Sequence, residues 1–298
     1  MHEAVHRAEH PTYDAVVFAG GGCRCIWQAG FWSVAAPALD LKPRVIAAVS
    51  AGATTACALL AGRMARVLRL FQEHTRNNRR NVYPLNPLRG EPLFPHLRLY
   101  RDMIGKVLDA SALERLHGGP DLRVLVGRPP SSLGPRSGVL LGLLLYEIER
   151  RRPPVHAKLA RRAGFTSEAI SVRSCATPRD LEALLLHSAC APPITPFYRR
   201  GGRPVLDGSL VDNAPVHVVD GVANSLILLT RRFPEDRIPR VPGRTYLQPS
   251  QPIPISRLDY TSPERLLASY DLGRRDAERF VAAPPRIRPG SAPARPCD

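Results

Sequence analysis

The run Arg44-Val45-Ile46-Ala47-Ala48-Val49 is apolar and partly β-branched, stops at Ser50, and gives way at once to helical periodicity. Ala53, Ala56, Cys57, Leu60, Met64, Val67, Leu68 and Phe71 recur at three- and four-residue steps, so they share one face of a helix. Ser50 therefore stands at a strand-to-helix turn between small neighbours. A buried strand feeding directly into a helix is the repeating unit of the α/β class, and a chain of 298 residues is long enough for one large domain of that kind.

A sharp turn of this type lifts a hydroxyl above the sheet, as in the nucleophile elbow G-x-S-x-G. Here the pattern reads Ala48-x-Ser50-x-Gly52. Alanine keeps the first position small but gives up the freedom of φ that glycine supplies. The start of the following helix adds backbone N–H groups and a positive dipole end beside any negative charge that forms there. An idle serine in a packing turn has the same local pattern, so the reading depends on partners elsewhere.

A second strand-loop-helix unit precedes the first. Asp14 to Ala19 reads as a strand, Gly20-Gly21-Gly22-Cys23-Arg24-Cys25 as a loop, and Trp27, Gly30, Phe31 and Val34 as a helix face. A dinucleotide fingerprint needs a third glycine where Cys25 stands and an acid where Ser50 stands. A phosphate-binding P-loop needs Gly-Lys-Ser/Thr, which is absent. Two readings remain: a tight turn, or an oxyanion hole built from the amides of Gly21, Gly22 and Cys23. Three consecutive glycines favour the second, because each carries an entropy cost that a plain turn does not require.

Further along, Gln72 to Leu97 is basic and Pro-rich and reads as a loop or rim. Leu99 to Leu116 reads as a helix, Leu122 to Val126 as a strand ended by Gly127, Gly138 to Arg152 as a helix, and Ala169 to Val172 as a strand. Arg179 to Ala189 reads as a helix. Gly201-Gly202 suits a hairpin returning a strand that ends at Asp207-Gly208. Ser225 to Thr230 is a late buried strand, Pro234 to Pro254 a loop, and Pro263 opens a helix to about Val281. Residues 1–12 and the Pro-rich 284–298 read as tails around one domain spanning 13–283.

The formal net charge is +16, nearly all of it arginine spread along the chain. Coding bias accounts for such a spread, and so does attraction to an anionic surface. No zinc-finger spacing, RNP-like aromatic motif or dense basic tract supports nucleic-acid binding. The N-terminus has no secretory pattern and the longest apolar run, Gly138 to Tyr146, is too short to span a bilayer. These features and six cysteines predict a cytoplasmic protein with reduced thiols. Cys23-x-Cys25 lacks a second pair with zinc-like spacing, so no metal or other cofactor is expected.

Gly20-Gly21-Gly22-x-Arg24, Ser50 in its elbow, and Asp207-Gly208-Ser209-Leu210-Val211-Asp212-Asn213-Ala214-Pro215 together resemble the patatin-like phospholipase family. Ala189-Cys190-Ala191-Pro192-Pro193 and Tyr270-Asp271-Leu272-Gly273 are similar to it as well. The resemblance implies a three-layer α/β/α fold with a central, mostly parallel sheet, a variant of the α/β-hydrolase architecture. It implies a Ser–Asp dyad of Ser50 and Asp207, an oxyanion hole in the loop Gly20, Gly21, Gly22 and Cys23, and supporting roles for Arg24, Gly52 and Gly208. The implied activity is hydrolysis of lipid esters, phospholipid or lysophospholipid; the positive charge adds the expectation of peripheral contact with an anionic membrane. Ala48 and Cys25 depart from the family pattern and motivate the alternative of a catalytically impaired lipid-binding relative. From the residues alone, Asp207-Gly208 also suits a turn, and His187 or His217 would be the third member if the site were a triad.

Overall fold

The computed structural model describes residues 12–150 and 154–283. The terminal tails therefore lie outside the described residues, apart from residue 12, as do Arg151 and Arg152 of the basic run after Tyr146.

The chain begins with β1 (Ala15–Phe18), a short 3-10 turn over Gly22–Cys25 and α1 (Ile26–Ala38). It continues through β2 (Val45–Val49), α2 (Ala51–Leu60), α3 (Met64–Asn77), α4 (His96–Val107), α5 (Ala110–Gly118), β3 (Asp121–Arg128) and α6 (Pro135–Arg150). Then come α7 (Leu159–Arg162), β4 (Thr166–Ser171), α8 (Pro178–Ser188) and the hairpin of β5 (Arg199–Arg200) and β6 (Arg203–Pro204). The last elements are β7 (Leu206–Asp207), β8 (Ser225–Leu228), β9 (Arg244–Leu247) and α9 (Pro263–Ala282).

The sheet order is β4-β3-β2-β1-β8-β9, with β7 also paired to β3. β3, β2, β1, β8 and β9 are mutually parallel, whereas β4 and β7 run antiparallel to β3. This is a mixed, mostly parallel α/β sheet flanked by helices, as the sequence predicts. Parallel strands buried on both faces need apolar side chains on both. Val16, Phe18, Ile46, Ala48, Val124 and Leu228 face a core shared with α1, α2, α8 and α9. Ala15, Val17, Ala47, Val49 and Ile227 face the other way, against Val155, Val216, Val219 and Phe233.

The strand order reverses between β1 and β8, the place where open α/β sheets gather ligands at their carboxyl ends. A buried glutamine closes this point. Gln28 Nε2 donates to the carbonyls of Ala19 (3.0 Å) and Leu228 (2.8 Å), so the ends of β1 and β8 are tied from the first turn of α1.

Helices α1 and α9 cross closely because two glycines remove the side chains between them. A Cβ on Gly30 would overlap the carbonyl of Tyr270, and one on Gly273 would overlap that of Trp27 and lie 2.8 Å from the Phe31 nitrogen. Trp27 Nε1 then donates to Asp276 Oδ2 across the contact (2.8 Å). Gly273→Val is expected to destabilise the protein by about 3 kcal/mol, since overpacking against backbone has no flexible side chain to displace; the midpoint of urea unfolding measures it.

Five expectations need correction. The apolar face from Ala53 to Phe71 belongs to two helices, α2 and α3, broken where Gly62 takes a left-handed φ of 67°. Leu99 to Leu116 is likewise two helices, with the Asp109 side chain accepting the Ala112 N–H at the start of α5 (2.9 Å). The loop predicted from Gln72 begins only after Asn77. β3 runs through Gly127 to Arg128 because both β4 and β7 pair with its end. Finally, the stretch read as loop after Pro234 contains the edge strand β9, parallel to β8.

Candidate active site

Ser50 follows the last residue of β2 and precedes α2 with φ 55° and ψ −136°. A non-glycine residue in this region costs on the order of 1–3 kcal/mol and persists only when its surroundings over-determine it. Two contacts do so. The Ser50 N–H donates to Ser188 Oγ (2.8 Å), and Ser188 Oγ–H donates to the Leu125 carbonyl (2.7 Å). Ser188 is fully buried at the end of α8, so α8 and β3 together hold the turn. Gly52 permits the close approach of α2 to the end of β1: a Cβ there would lie 2.5 Å from the Ala19 carbonyl oxygen. Ala48 pairs with Phe18 and Val124 inside the sheet, where extended backbone has no use for glycine's freedom.

Ser188→Ala would leave the buried Ser50 amide without an acceptor and let the turn relax. The expected result is a loss of about tenfold to a hundredfold in kcat with KM little changed, because sub-ångström placement of a reacting group carries effects of that size. Steady-state kinetics on a soluble ester would check it, and a loss confined to KM would sink the positioning role.

Asp207 arrives by an unusual use of β3. One edge of β3 is taken by β4 along Arg123–Arg128. The other edge carries β2 along Asp121–Leu125 and then, where β2 turns away at Ser50, the two-residue β7 along Val126–Gly127. β2 and β7 thus meet end to end on one strand edge, and their last residues face each other. Ser50 Oγ donates to Asp207 Oδ2 at 2.8 Å, and the Ser209 N–H donates to Oδ1 at 2.8 Å. Ser50 is 8% exposed and Asp207 7%. Burial pushes the Asp207 carboxyl above the ordinary carboxylate value, against the opposing pull of the Ser209 and Ser50 hydrogen bonds. Gly208 is required next, because a Cβ there would lie 2.5 Å from the Leu125 carbonyl oxygen.

Among the described residues no histidine hydrogen-bonds to Ser50 or Asp207. His187 packs edge-on against Tyr198, with ring centroids 5.7 Å apart. His217 donates to Asp212 instead (3.3 Å), beside His156 (3.1 Å) and Arg161 (2.7 Å). Burial alone would raise the Asp212 carboxyl, but these partners outweigh it and hold the group below the usual range. Among the described residues, then, Ser50 and Asp207 are hydrogen-bonded to each other without a histidine.

The glycine loop differs in one respect from expectation. Gly20 N–H donates to the Asn213 carbonyl (3.0 Å) and Cys23 N–H to the Arg257 carbonyl (3.0 Å), so these two amides shape the loop. Gly21 and Gly22 keep amides with no partner among the described residues. Glycine is obligatory at both positions. A Cβ on Gly21 would lie 2.5 Å from Thr230 Oγ1, while Gly22 has φ 58° and would overlap the Arg257 carbonyl. The Cys25 thiol is buried and turned back to the Ala19 carbonyl (3.6 Å). It therefore packs behind the loop. Arg24 Nε reaches the Ile255 carbonyl (3.4 Å).

Ser50, Asp207 and Gly22 line the floor of a cavity of about 450 Å³. Its walls include Leu97, Leu143, Leu186, Pro193, Ile194 and Leu258. The cavity is apolar enough for a hydrocarbon chain, and it ends on a hydroxyl, a buried carboxylate and the backbone of Gly22. The family model described as patatin-like phospholipase matches residues 16–220. The chain belongs to the patatin-like phospholipase family. Family members are lipid acyl hydrolases in general. The solved structure of VipD from Legionella pneumophila is similar at 11% identity, with a TM-score of 0.46 over 92% of this chain and 67% of that one. No curated protein matches the chain.

Within this patatin-like site, sequence reasoning missed Ser188, Thr230 and Arg257. Ser188 ends an apolar helix and looks like an ordinary C-terminal polar residue. Thr230 Oγ1 donates to the Gly20 carbonyl (2.5 Å) from the end of β8. Arg257 anchors the loop through its carbonyl, for which no side chain gives a signal.

Proposed function

We propose that this protein hydrolyses carboxylic ester bonds of lipids through an acyl-Ser50 intermediate, with Asp207 as the base. The observation that carries the proposal is the 2.8 Å hydrogen bond from Ser50 Oγ to Asp207 Oδ2 at the floor of an apolar cavity. A serine hydroxyl is a weak nucleophile until a base takes its proton. A carboxylate raised by burial is a better match to that task than one in water. Ser50 Oγ attacks the ester carbonyl as its proton passes to Asp207. The oxyanion forms against the glycine loop at Gly22, the loop residue that lines the cavity, a well-placed donor being worth about 3–4 kcal/mol. The proton on Asp207 then goes to the leaving alcohol. Water repeats the sequence on the acyl-enzyme, giving its proton to Asp207 and releasing the fatty acid.

Purified protein should hydrolyse both a short chromogenic acyl ester and phospholipid or lysophospholipid. Failure to release fatty acid from any of them would remove the hydrolase reading and favour a lipid-binding relative.

The lipid surface is expected at α6. Leu140, Leu144 and Ile148 are exposed at four-residue steps along this helix, whose Leu143 and Tyr146 line the cavity. An apolar stripe beside the cavity of a protein with net charge +16 suits an anionic bilayer. Among the described residues no helix is long and apolar enough to cross one. Leu140→Glu combined with Leu144→Glu should reduce cosedimentation with anionic vesicles several-fold; unchanged binding would place the contact elsewhere.

A further inference from the structure

On the far flank of the glycine loop lies a second, smaller cleft of about 50 Å³, lined by Gly20, Gly21, Arg24, Arg231 and Arg257. Three guanidinium groups converge there. Among the described residues neither Arg231 nor Arg257 has an ion pair, and Arg231 Nε is buried without any hydrogen-bond acceptor. Each guanidinium instead lies over an aromatic ring: Arg231 over Phe233 at 4.9 Å, and Arg257 over Tyr146 at 5.3 Å. Burial first, and the neighbouring Arg24 charge second, push both groups below the ordinary guanidinium value. One carboxylate lines the cleft, Glu149, but its Oε1 accepts the N–H groups of Lys158 (2.7 Å) and Leu159 (3.1 Å). Its charge also favours the charged form of Arg231, but one carboxylate stands against three guanidinium groups; partly buried like charges in such excess are costly, and an anion bound there supplies what the protein does not.

We propose that Arg24, Arg231 and Arg257 form a binding site for a phosphate group next to the Ser50 cavity. Guanidinium forks match the oxygens of a phosphate and hold it with charge-assisted hydrogen bonds. The cleft has room for about three or four waters, comparable with one tetrahedral anion. Its position relates it to the ester. Arg257 and Tyr146 line both spaces, and the glycine loop divides them, Gly22 on the cavity side and Gly20 and Gly21 on the cleft side. A glycerolipid carrying its ester and its phosphate on neighbouring carbons can straddle that loop, with the acyl chain in the apolar cavity and the phosphate among the arginines. Assigning the phosphate to the substrate rests on the acyl hydrolase reading above; the anion site itself does not.

The test compares 2-acyl lysophosphatidic acid with the 2-monoacylglycerol of the same chain, which differ only in the phosphate, and separately titrates the protein with inorganic phosphate against chloride at equal ionic strength. For the wild type, kcat/KM should favour the phosphate-bearing lipid. That preference ratio should fall by about tenfold or more in Arg231→Gln and by less in Arg231→Lys, which keeps the charge and loses the fork. Phosphate should raise the melting temperature of the wild type more than chloride does, and the difference should shrink in Arg231→Gln. A ratio the same in wild type and variants, with no phosphate-specific stabilisation, overturns the site. Stabilisation by phosphate with an unaltered ratio keeps the site and assigns it to free phosphate. Stabilisation without hydrolysis of either lipid keeps the site while the acyl hydrolase reading fails. If Arg231→Gln does not fold, the Arg231→Lys ratio and the wild-type titration decide.

Discussion

Alanine at position 50 is expected to lower the hydrolysis of a short acyl ester by about 10⁴-fold or more, the size of loss seen when a serine nucleophile is removed. The fold should survive the change. Alanine meets the same backbone constraint at φ 55° as serine does, and the amide bond to Ser188 does not involve the lost hydroxyl. What disappears is the donor to Asp207 Oδ2, in a pocket that a water can enter from the cavity. Circular dichroism and the melting temperature should therefore change little while the rate collapses. Retention of more than about a tenth of the activity in a folded Ser50→Ala protein, against a loss of that expected size, would mean that the ester is cleaved by some other group.

Asparagine at position 207 should cost about 10²- to 10⁴-fold in rate, the usual contribution of a positioned general base. The effect on stability should have the opposite sense. Burial raises the Asp207 carboxyl above its unfolded value. Between those two values the native state binds more protons than the unfolded chain, so the unfolding free energy falls as pH rises through that window. Above it, an ionised Asp207 weighs against the fold. Asparagine is neutral throughout, can accept from the Ser209 N–H and can donate to Ser50 Oγ. The Asp207→Asn protein is therefore expected to be at least as stable as wild type at neutral pH, by urea unfolding, and nearly inactive. In the wild type kcat/KM should rise with pH as Asp207 ionises, with an apparent pKa above the ordinary carboxylate range. An inactive variant clearly less stable at neutral pH would show that the buried charge supports the fold, contrary to this account.

Much of the site was legible because its parts lie at places where the backbone has few options. A buried strand ending in small-Ser-small, three glycines after another strand, and Asp-Gly after a hairpin each constrain φ, close approach or burial. Their meeting was carried by resemblance, since no local pattern says that β7 shares an edge of β3 with β2. Helix breaks were harder to see. Gly62 interrupts α2 and α3, yet Cys57 and Phe71 on either side enter the same core, so apolar periodicity passes through the break. β9 is short and half-buried along its length, between turns rich in proline, and only its pairing with β8 makes it a strand. Hydrogen bonds from Gly20 and Cys23 to distant carbonyls were beyond reach for the same reason: the acceptors, at Asn213 and Arg257, are backbone atoms brought near by tertiary structure alone.

The end-to-end meeting of β2 and β7 on β3 has a consequence for how the chain acquires its chemistry. The bond between Ser50 and Asp207 spans 157 positions of sequence, and its length is set by the register of two strands on a third. A slip of one residue in β7 would turn Asp207 to the opposite face of the sheet. Helices α1 to α5 can form from local contacts, but the dyad exists only after β3 has captured both neighbours, a slow event because the loop to be closed is long. If the protein is the hydrolase proposed above, esterase activity is expected to return late in refolding, with completion of the sheet and after most of the helical content.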